Sequence, residues 1–246
     1  MTHTLIIAEA GSSHDNDLQK AYRLIEAAKE CGADAVKFQW TSDGNKMSLR
    51  RGLKVGGENM YSRWLEKPVS WLESLKAHAD KVGIEFMCTV YLIEDIATIA
   101  PLVKRFKVSA FERNWLEFFD AHWIFNRQII ASTNTVSNAN WSNGIDYLYC
   151  VSKYPTPLEE LHLGKMSHGK TRTFAGLSDH TTSTLTGALA VAAGATIIEK
   201  HIRLHDTDPK NPDYGHSLEA DEIHDGGAPP AFWDYVRNIR EAERAM

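Results

Sequence analysis

Apolar residues arrive along this chain in two rhythms. Short runs rich in β-branched residues carry almost no polar alternation, as expected of parallel strands covered on both faces. They predict strands at Thr4–Ala10, Ala35–Trp40, Ile84–Val90, Arg105–Ala110, Gln128–Ser132, Tyr147–Val151, Thr173–Leu177 and Thr196–Ile202. Longer amphipathic stretches between them predict helices at Asp17–Cys31, Pro68–Val82, Glu94–Val103, Trp115–Phe125 and Thr182–Ala193, with a closing helix at Pro230–Ala245. Asp17 is placed to cap the first helix, and Gly32, Gly83 and Gly194 to end helices in left-handed turns. Eight strands, each followed by a helix or a substitute, predict one (β/α)8 TIM barrel, a single domain over residues 1–246. From Thr133 to Asp146 the chain is rich in Asn, Ser and Gly without helical period, so the fifth β/α unit is expected to be shortened.

Composition narrows the function classes. The 246 residues carry a formal charge of −5. No basic field is available to displace phosphate counterions, which argues against a nucleic-acid partner. The N-terminus lacks a basic segment before an apolar run, and the most apolar stretch, Leu185 to Ile198, is too short to span a bilayer. A cytoplasmic protein without a membrane partner is expected. Cys31, Cys88 and Cys150 are odd in number and far apart, which predicts buried thiols rather than disulfides. On the same grounds the sequon Asn140-Trp141-Ser142 is expected to be idle.

Barrel active sites form where strands run into the βα loops, so polar residues at strand ends carry a functional expectation. Here they recur on most strands: Glu9, Lys37, Gln39, Thr89, Lys107, Glu112, Ser152, Ser178, His180, Glu199 and His201. Any one of them is ordinarily a paired structural group. The full set at one end of one barrel is not explained that way. Lys37 and Lys107, with hydroxyls from Thr89, Ser152 and Ser178, would hold a small polyanion. A Schiff-base lysine is the competing chemistry for the same two residues. His180 and His201 end adjacent strands and could share a divalent ion, with Asp213 and His216 as weaker candidates. His14 is as readily a capping or packing residue as a catalytic one. His162, His168, His205 and His224 are expected at the surface.

Gly164-Lys165-Met166-Ser167-His168-Gly169-Lys170-Thr171 matches the phosphate-loop pattern. That loop works only between a strand and a following helix. Here a helical stretch, Leu158–Leu163, precedes it and a strand follows, so the match is read as chance.

Six segments resemble the sialic acid synthase (N-acetylneuraminate synthase) family, in order and over nearly the whole chain. They are Ile7-Ala8-Glu9-Ala10-Gly11, His14, Ala33-Asp34-Ala35-Val36-Lys37-Phe38-Gln39, Tyr154-Pro155-Thr156-Pro157, Gly176-Leu177-Ser178-Asp179-His180 and Glu199-Lys200-His201. The resemblance implies a (β/α)8 barrel that condenses phosphoenolpyruvate with an aldehyde sugar such as N-acetylmannosamine. It implies that Lys37, Thr89, Lys107, Ser152 and Ser178 hold phosphoenolpyruvate. His180 and His201 would bind Mn²⁺, or Mg²⁺ or Co²⁺ in its place. Glu9 would act on the attacking water or the aldehyde, and Gln39, Glu112, Tyr154 and Asp213 would contact the sugar. A homo-oligomer is also implied.

The chain departs from the family pattern in places. Ala110 stands where a phosphoenolpyruvate-contacting serine is expected, and Ser132-Thr133-Asn134-Thr135 replaces Ser-Thr-Gly-Met. No counterpart of the family's C-terminal antifreeze-like domain, which supplies an arginine to the sugar, is found in these residues. A degenerate barrel that binds a sugar acid without turnover is therefore a further alternative.

Overall fold

Strand β1 (Leu5–Gly11) has two parallel partners, β2 (Ala35–Gln39) and β8 (Ile197–Arg203), and this double pairing closes the sheet. Between them β3 (Glu85–Thr89), β4 (Phe106–Val108), β5 (Ile129–Thr133), β6 (Ile145–Cys150) and β7 (Gly176–Asp179) follow in chain order, all parallel. The result is the expected eight-stranded barrel. A two-residue strand, β9 (Leu218–Glu219), adds to the end of β8. The computed structural model describes residues 3–53, 59–135, 144–166, 174–221 and 228–246.

The helices are α1 (Leu18–Glu30), α2 (Gly44–Arg50), α3 (Met60–Trp64), α4 (Val69–Val82), α5 (Ile93–Ile99), α6 (Leu116–Trp123), α7 (Thr186–Ala192) and α8 (Ala231–Ala245). Asp17 caps α1 by accepting from the Gln19 and Lys20 amides, and Gly83 ends α4 at φ 79°, a left-handed conformation that favours glycine. Helices α2 and α3 were not predicted from periodicity. Each is too short to show it, and each depends instead on a side-chain cap from Asp43 or Asn59.

Several boundaries differ from expectation, among them β4, which spans only Phe106–Val108, and three others bear on the site. The stretch at Leu158–Leu163 forms two 3-10 turns, Leu158–Glu160 and Leu163–Met166, rather than a helix. Strand β7 lies further along, at Gly176–Asp179, and so brings Ser178 and Asp179 into the barrel wall. Helix α7 starts at Thr186 because Thr181 and Ser183 hydroxyls accept backbone N–H groups and hold the preceding residues in turns. The shortened fifth connection, the sequon, His168, His224 and much of the phosphate-loop match lie on residues 136–143, 167–173 and 222–227, outside the described residues. Cys31, Cys88 and Cys150 are free and buried. Among the described residues no helix is long and apolar enough to cross a membrane.

Strand pleating sorts the barrel interior into layers, because alternate residues face inward. Ile7, Ala35, Met87, Ile130, Leu148 and Ile197 form an apolar plug inside the barrel. Two residues further along the same strands come Glu9, Lys37, Thr89, Ser132, Cys150 and Glu199. The plug seals the bottom of the barrel and the polar layer stands on it. A fully buried aliphatic side chain stabilises by roughly 1.5–3 kcal/mol, which helps offset the several kcal/mol that dehydrating each ion above it costs.

Candidate active site

A cavity of about 310 Å³ opens above the plug at the carboxyl ends of the strands. Its floor is a buried charge cluster. Glu199 lies between two lysines, with Oε2 3.6 Å from Lys37 Nζ and Oε1 3.5 Å from Lys107 Nζ. Ser178 donates to Glu199 Oε1 at 3.0 Å, Lys37 donates to Thr89 Oγ1 at 2.9 Å, and Lys107 donates to Ser132 Oγ at 2.8 Å. Lys37 also touches the Glu9 carboxylate, as an ion pair rather than an aligned hydrogen bond. The register sets Glu9 beside Lys37, Thr89 beside Lys107 and Ser178 beside Glu199. These residues were expected together, and the closed ring brings them together.

The electrostatics follow from burial and proximity. Burial pulls the Lys37 ammonium down to about 8, with Lys107 acting in the same direction and Glu199 resisting. Burial alone would raise Glu199, but Lys107 and Lys37 outweigh it and hold that carboxyl at about 2. Among the described residues, both oxygens of Glu9 and Oε2 of Glu199 have no hydrogen-bond donor. The Lys37 ammonium offsets part of that cost as an ion-pair partner, and both carboxylates line the cavity with hydrogen-bonding positions open.

The opposite wall is made of imidazoles. Atoms of His201, Asp213 and His216 lie within 4.8 Å of one another. Asp213 Oδ1 is 3.8 Å from His201 Nδ1 and 3.6 Å from His216 Nε2, and both nitrogens are buried without a hydrogen-bond partner among the described residues. Asp213 is aimed by its other oxygen, which accepts from the Ser12 amide at 2.8 Å and the Ser12 hydroxyl at 2.7 Å. Gly11 makes room for this: a Cβ there would lie 2.4 Å from Asp213 Oδ2, and its φ is 49°. Burial, then mutual repulsion with His216 and His180, keeps the His201 imidazole well below its usual range. Burial, then His216, lowers His180 to about 4. Neutral imidazoles with free lone pairs and a carboxylate oxygen make a donor set that fits a divalent cation.

His180 flanks this set, its ring 5.4 Å from His201 and 5.8 Å from His216. Its Nδ1–H donates to the Val151 carbonyl at 3.3 Å, which leaves Nε2 as the lone-pair nitrogen. The pair His180 and His201 expected from strand position is thus adjacent, but the tightest donor set joins His201 to Asp213 and His216, the two weaker candidates, and leaves His180 beside it. The interval from His201 to His216 has no ligand spacing to read; it is closed by the turn Tyr214–His216.

The rim is aromatic. Tyr154 is half exposed and packs on His180 and His216 at 4.4 and 5.1 Å between rings. Gln39, Tyr61, Tyr91 and Phe111 continue the lining, and Ala110 takes the place where a serine was expected; Glu112, expected at the sugar, is buried, paired to Arg51 and not among the lining residues. Ser152 does not line the cavity: it is exposed beyond the end of β6, and Cys150 occupies the inward position. Burial raises the Cys150 thiol to about 11, so it is an inert wall. His14 also stays outside, accepting from the Asn16 amide and packing edge-on against Trp71.

Sequence reasoning missed Arg51 and Ser132. Arg51 follows α2, reaches back over the mouth and donates to both oxygens of Glu112. Ser132 could have been found from strand parity, because it follows the plug residue Ile130 by two.

Behind the wall, Asp179 and Lys200 form a buried pair at 3.5 Å between β7 and β8. Asp179 also accepts from the Thr181 amide at 2.8 Å and touches the Thr186 hydroxyl, and Lys200 donates to the Thr181 carbonyl. This network fixes the tips of the two strands that carry His180 and His201.

Several known proteins share this architecture. The chain is 34% identical to the N,N'-diacetyllegionaminic acid synthase of Campylobacter jejuni, over 91% of this chain and 74% of that one. It is 30% identical to the human N-acetylneuraminate-9-phosphate synthase, over 98% of this chain and 70% of the relative. The crystal structure of the N-acetylneuraminic acid (sialic acid) synthetase of Leptospira borgpetersenii, in complex with citrate, superposes with a TM-score of 0.81 at 25% identity, covering 99% of this chain and 85% of that one. The pattern that defines these synthases runs through residues 24–245, nearly the whole barrel, and the chain belongs to the NeuB family.

Proposed function

We propose that this protein condenses phosphoenolpyruvate with an aldehyde sugar of the N-acetylmannosamine type, giving a sialic-acid-like 2-keto-3-deoxy sugar acid and phosphate. The observation that carries the reading is the joining, in one cavity, of two buried lysines and a separate imidazole–carboxylate donor set. The first suits an enol phosphate and the second suits a divalent ion.

Lys37 and Lys107 bind the carboxylate and phosphate of phosphoenolpyruvate, with Thr89, Ser132 and Ser178 as hydroxyl donors. Glu199 opposes the discharge that burial favours at the Lys37 ammonium, and it pairs with Lys107 as well. C3 of phosphoenolpyruvate attacks the aldehyde carbon, water adds at C2, and phosphate leaves by C–O cleavage. Glu9, fully buried beside Lys37, takes the proton of that water. His201, Asp213 and His216, with His180 beside them, would hold Mn²⁺ or a similar ion, which supplies Lewis acidity for the aldehyde oxygen. Gln39 and Tyr154 contact the sugar at the rim, where Glu112 holds Arg51.

Phosphate release from phosphoenolpyruvate, with Mn²⁺ and a panel of N-acetylhexosamines, hexoses and pentoses, tests the reading. Release that depends on both sugar and metal is expected; none with any sugar from folded protein would refute it. A second reading draws on the lowered Lys37, which suits a Schiff base. Borohydride trapping of a pyruvate adduct at Lys37 would favour that reading. The relatives' names span both free and phosphorylated sugar acids, so family membership leaves the acceptor open.

A further inference from the structure

Within the proposed donor set, His201 is carried by β8 itself, whereas Asp213 and His216 belong to the loop that follows it. A loop is held less firmly than a strand unless something ties it down. Here the tie is the turn after β1. Asn211 is 4% exposed and uses both ends of its side chain. Its Oδ1 accepts from the Asp213 amide at 3.0 Å, and its Nδ2 donates to the Ser12 carbonyl at 2.8 Å and to Asp15 Oδ1 at 2.9 Å. The other oxygen of Asp15 accepts from the Asp208 amide and from Lys20 Nζ, each at 2.8 Å. Asp15 thus grips the loop after β8 at two points while α1 anchors it from below.

The backbone under this clasp is left-handed, with φ of 51° at Asp15 and 63° at Asn16. Asp and Asn enter that region more readily than other residues with a Cβ, but two in succession persist only where surrounding contacts over-determine them. The contacts that do so here all lead toward Asp213.

We infer that Asn211, gripped by Asp15, is a positioning residue of the proposed metal site, and that it acts by aiming the Asp213 carboxylate. The inference rests on that donor set and adds to it a residue behind the cavity wall: Pro212 and Asp213 line the cavity, and Asn211 does not. Two holds are needed to fix a carboxylate. Ser12 fixes Oδ2, and Asn211 fixes the backbone from which the side chain springs. Oδ1 is then left facing His201 and His216. With Ser12 alone, the carboxylate can pivot about its one anchored oxygen and turn Oδ1 away. Residues behind metal ligands set affinity in this way, by removing the orientations that do not bind.

Asn211 could instead serve only to fasten two loops together, and metal binding separates the roles. Metal-free protein is titrated with Mn²⁺ by calorimetry, and urea unfolding is followed without metal. Asn211→Ala should weaken Mn²⁺ binding ~10–100-fold. In an Asp213→Ala background the same change should add no more than about twofold, because its effect passes through the missing carboxylate. Unchanged Mn²⁺ affinity beside a lowered urea midpoint would overturn the inference, as would an equal loss of affinity in both backgrounds. If Asn211→Ala does not fold, Asp15→Gly replaces it. Glycine adopts φ 51° without strain, and the substitution removes the carboxylate that grips Asn211. Its Mn²⁺ affinity should fall ~10-fold, and no fall would overturn the inference equally. His201→Ala tests the donor set itself. Wild-type protein that binds no Mn²⁺, or binds it no better than His201→Ala, would refute that set and the inference with it. Binding that His201→Ala weakens and Asn211→Ala does not would overturn the inference alone.

Discussion

The hydroxyl of Tyr235, on the last helix of the chain, donates a 2.8 Å hydrogen bond to the Asp179 carboxylate at the tip of β7. The two residues are 56 positions apart, and the bond crosses from the helical layer into the barrel wall. It locks the turn that follows β7, whose next residue is His180. Gly187 on α7 permits the approach, since a Cβ there would lie 2.6 Å from the Tyr235 ring. Tyr235→Phe removes the donor and leaves the ring in place. A loss of ~1.5–3 kcal/mol in urea unfolding is expected, the range for a bond to a buried charge. Because the donor set is held from behind, Mn²⁺ affinity measured by calorimetry should fall ~10–100-fold. Unchanged affinity would show that Asp179 positions nothing in the site.

Lys37 sets a second expectation. With its ammonium at about 8, the charged form predominates below that pH and is lost above it. Phosphoenolpyruvate affinity should therefore be flat below pH 8 and weaken roughly tenfold per pH unit above it, as a single deprotonation dictates. Lys37→Arg, which cannot deprotonate in this range, should abolish the alkaline fall even if it binds more weakly. Calorimetric titrations at pH 7 and pH 9 check both.

Much of this site was readable before folding was considered. The β/α alternation predicted the ring, and the ring made neighbours of Lys37, Lys107 and Glu199, which are up to 162 positions apart in the chain. What stayed hidden is what strand position does not encode. His216 was only a weaker candidate than His180, because it joins His201 through a loop turn that no periodicity announces. Ser152 looked eligible because it follows β6, but the strand ends at Cys150 and the chain turns outward there. Arg51 belongs to a stretch with neither a helical nor a strand period. Its order comes from caps at Asp43 and Asn59 and from cation–ring contacts with residues distant in sequence.

The stretch that carries Arg51 gives a third expectation. A Cβ on Gly44 would lie 2.2 Å from the Ser62 amide nitrogen and 2.5 Å from its Cα, contacts with backbone that cannot swing aside. Gly44→Ala must push α2 away from α3. A stability loss of ~1–3 kcal/mol is expected from overpacking. The acceptor KM should rise while phosphoenolpyruvate binding, made on the barrel floor, is retained. Thermal melts alongside steady-state kinetics would reveal whether the two effects occur together.

Acid sensitivity supplies the last expectation. His122 is fully buried, its Nδ1–H donates to the Phe118 carbonyl at 2.7 Å, and its ring meets Phe106 and Phe118 edge-on. Burial lowers it to about 4, and burial with Lys67 lowers His14 to about 4 as well. In the unfolded chain both return to about 6.5. Between pH 6.5 and 4 the unfolded state therefore binds more protons than the folded state, and stability must fall as pH falls through that window. Each group contributes on the order of 3 kcal/mol across its full shift. Carboxylates with lowered values, Glu199 among them, lose their contribution only further down, below about 4.5. The urea midpoint of the metal-free protein should thus drop steadily from pH 7 to pH 4.5. His122→Gln, which cannot gain a proton, should start lower at pH 7 and show a shallower decline. If the variant's slope matches that of the wild type, His122 is not the group being titrated, and the buried imidazole in the Phe106–Phe118 cluster has no part in the acid response.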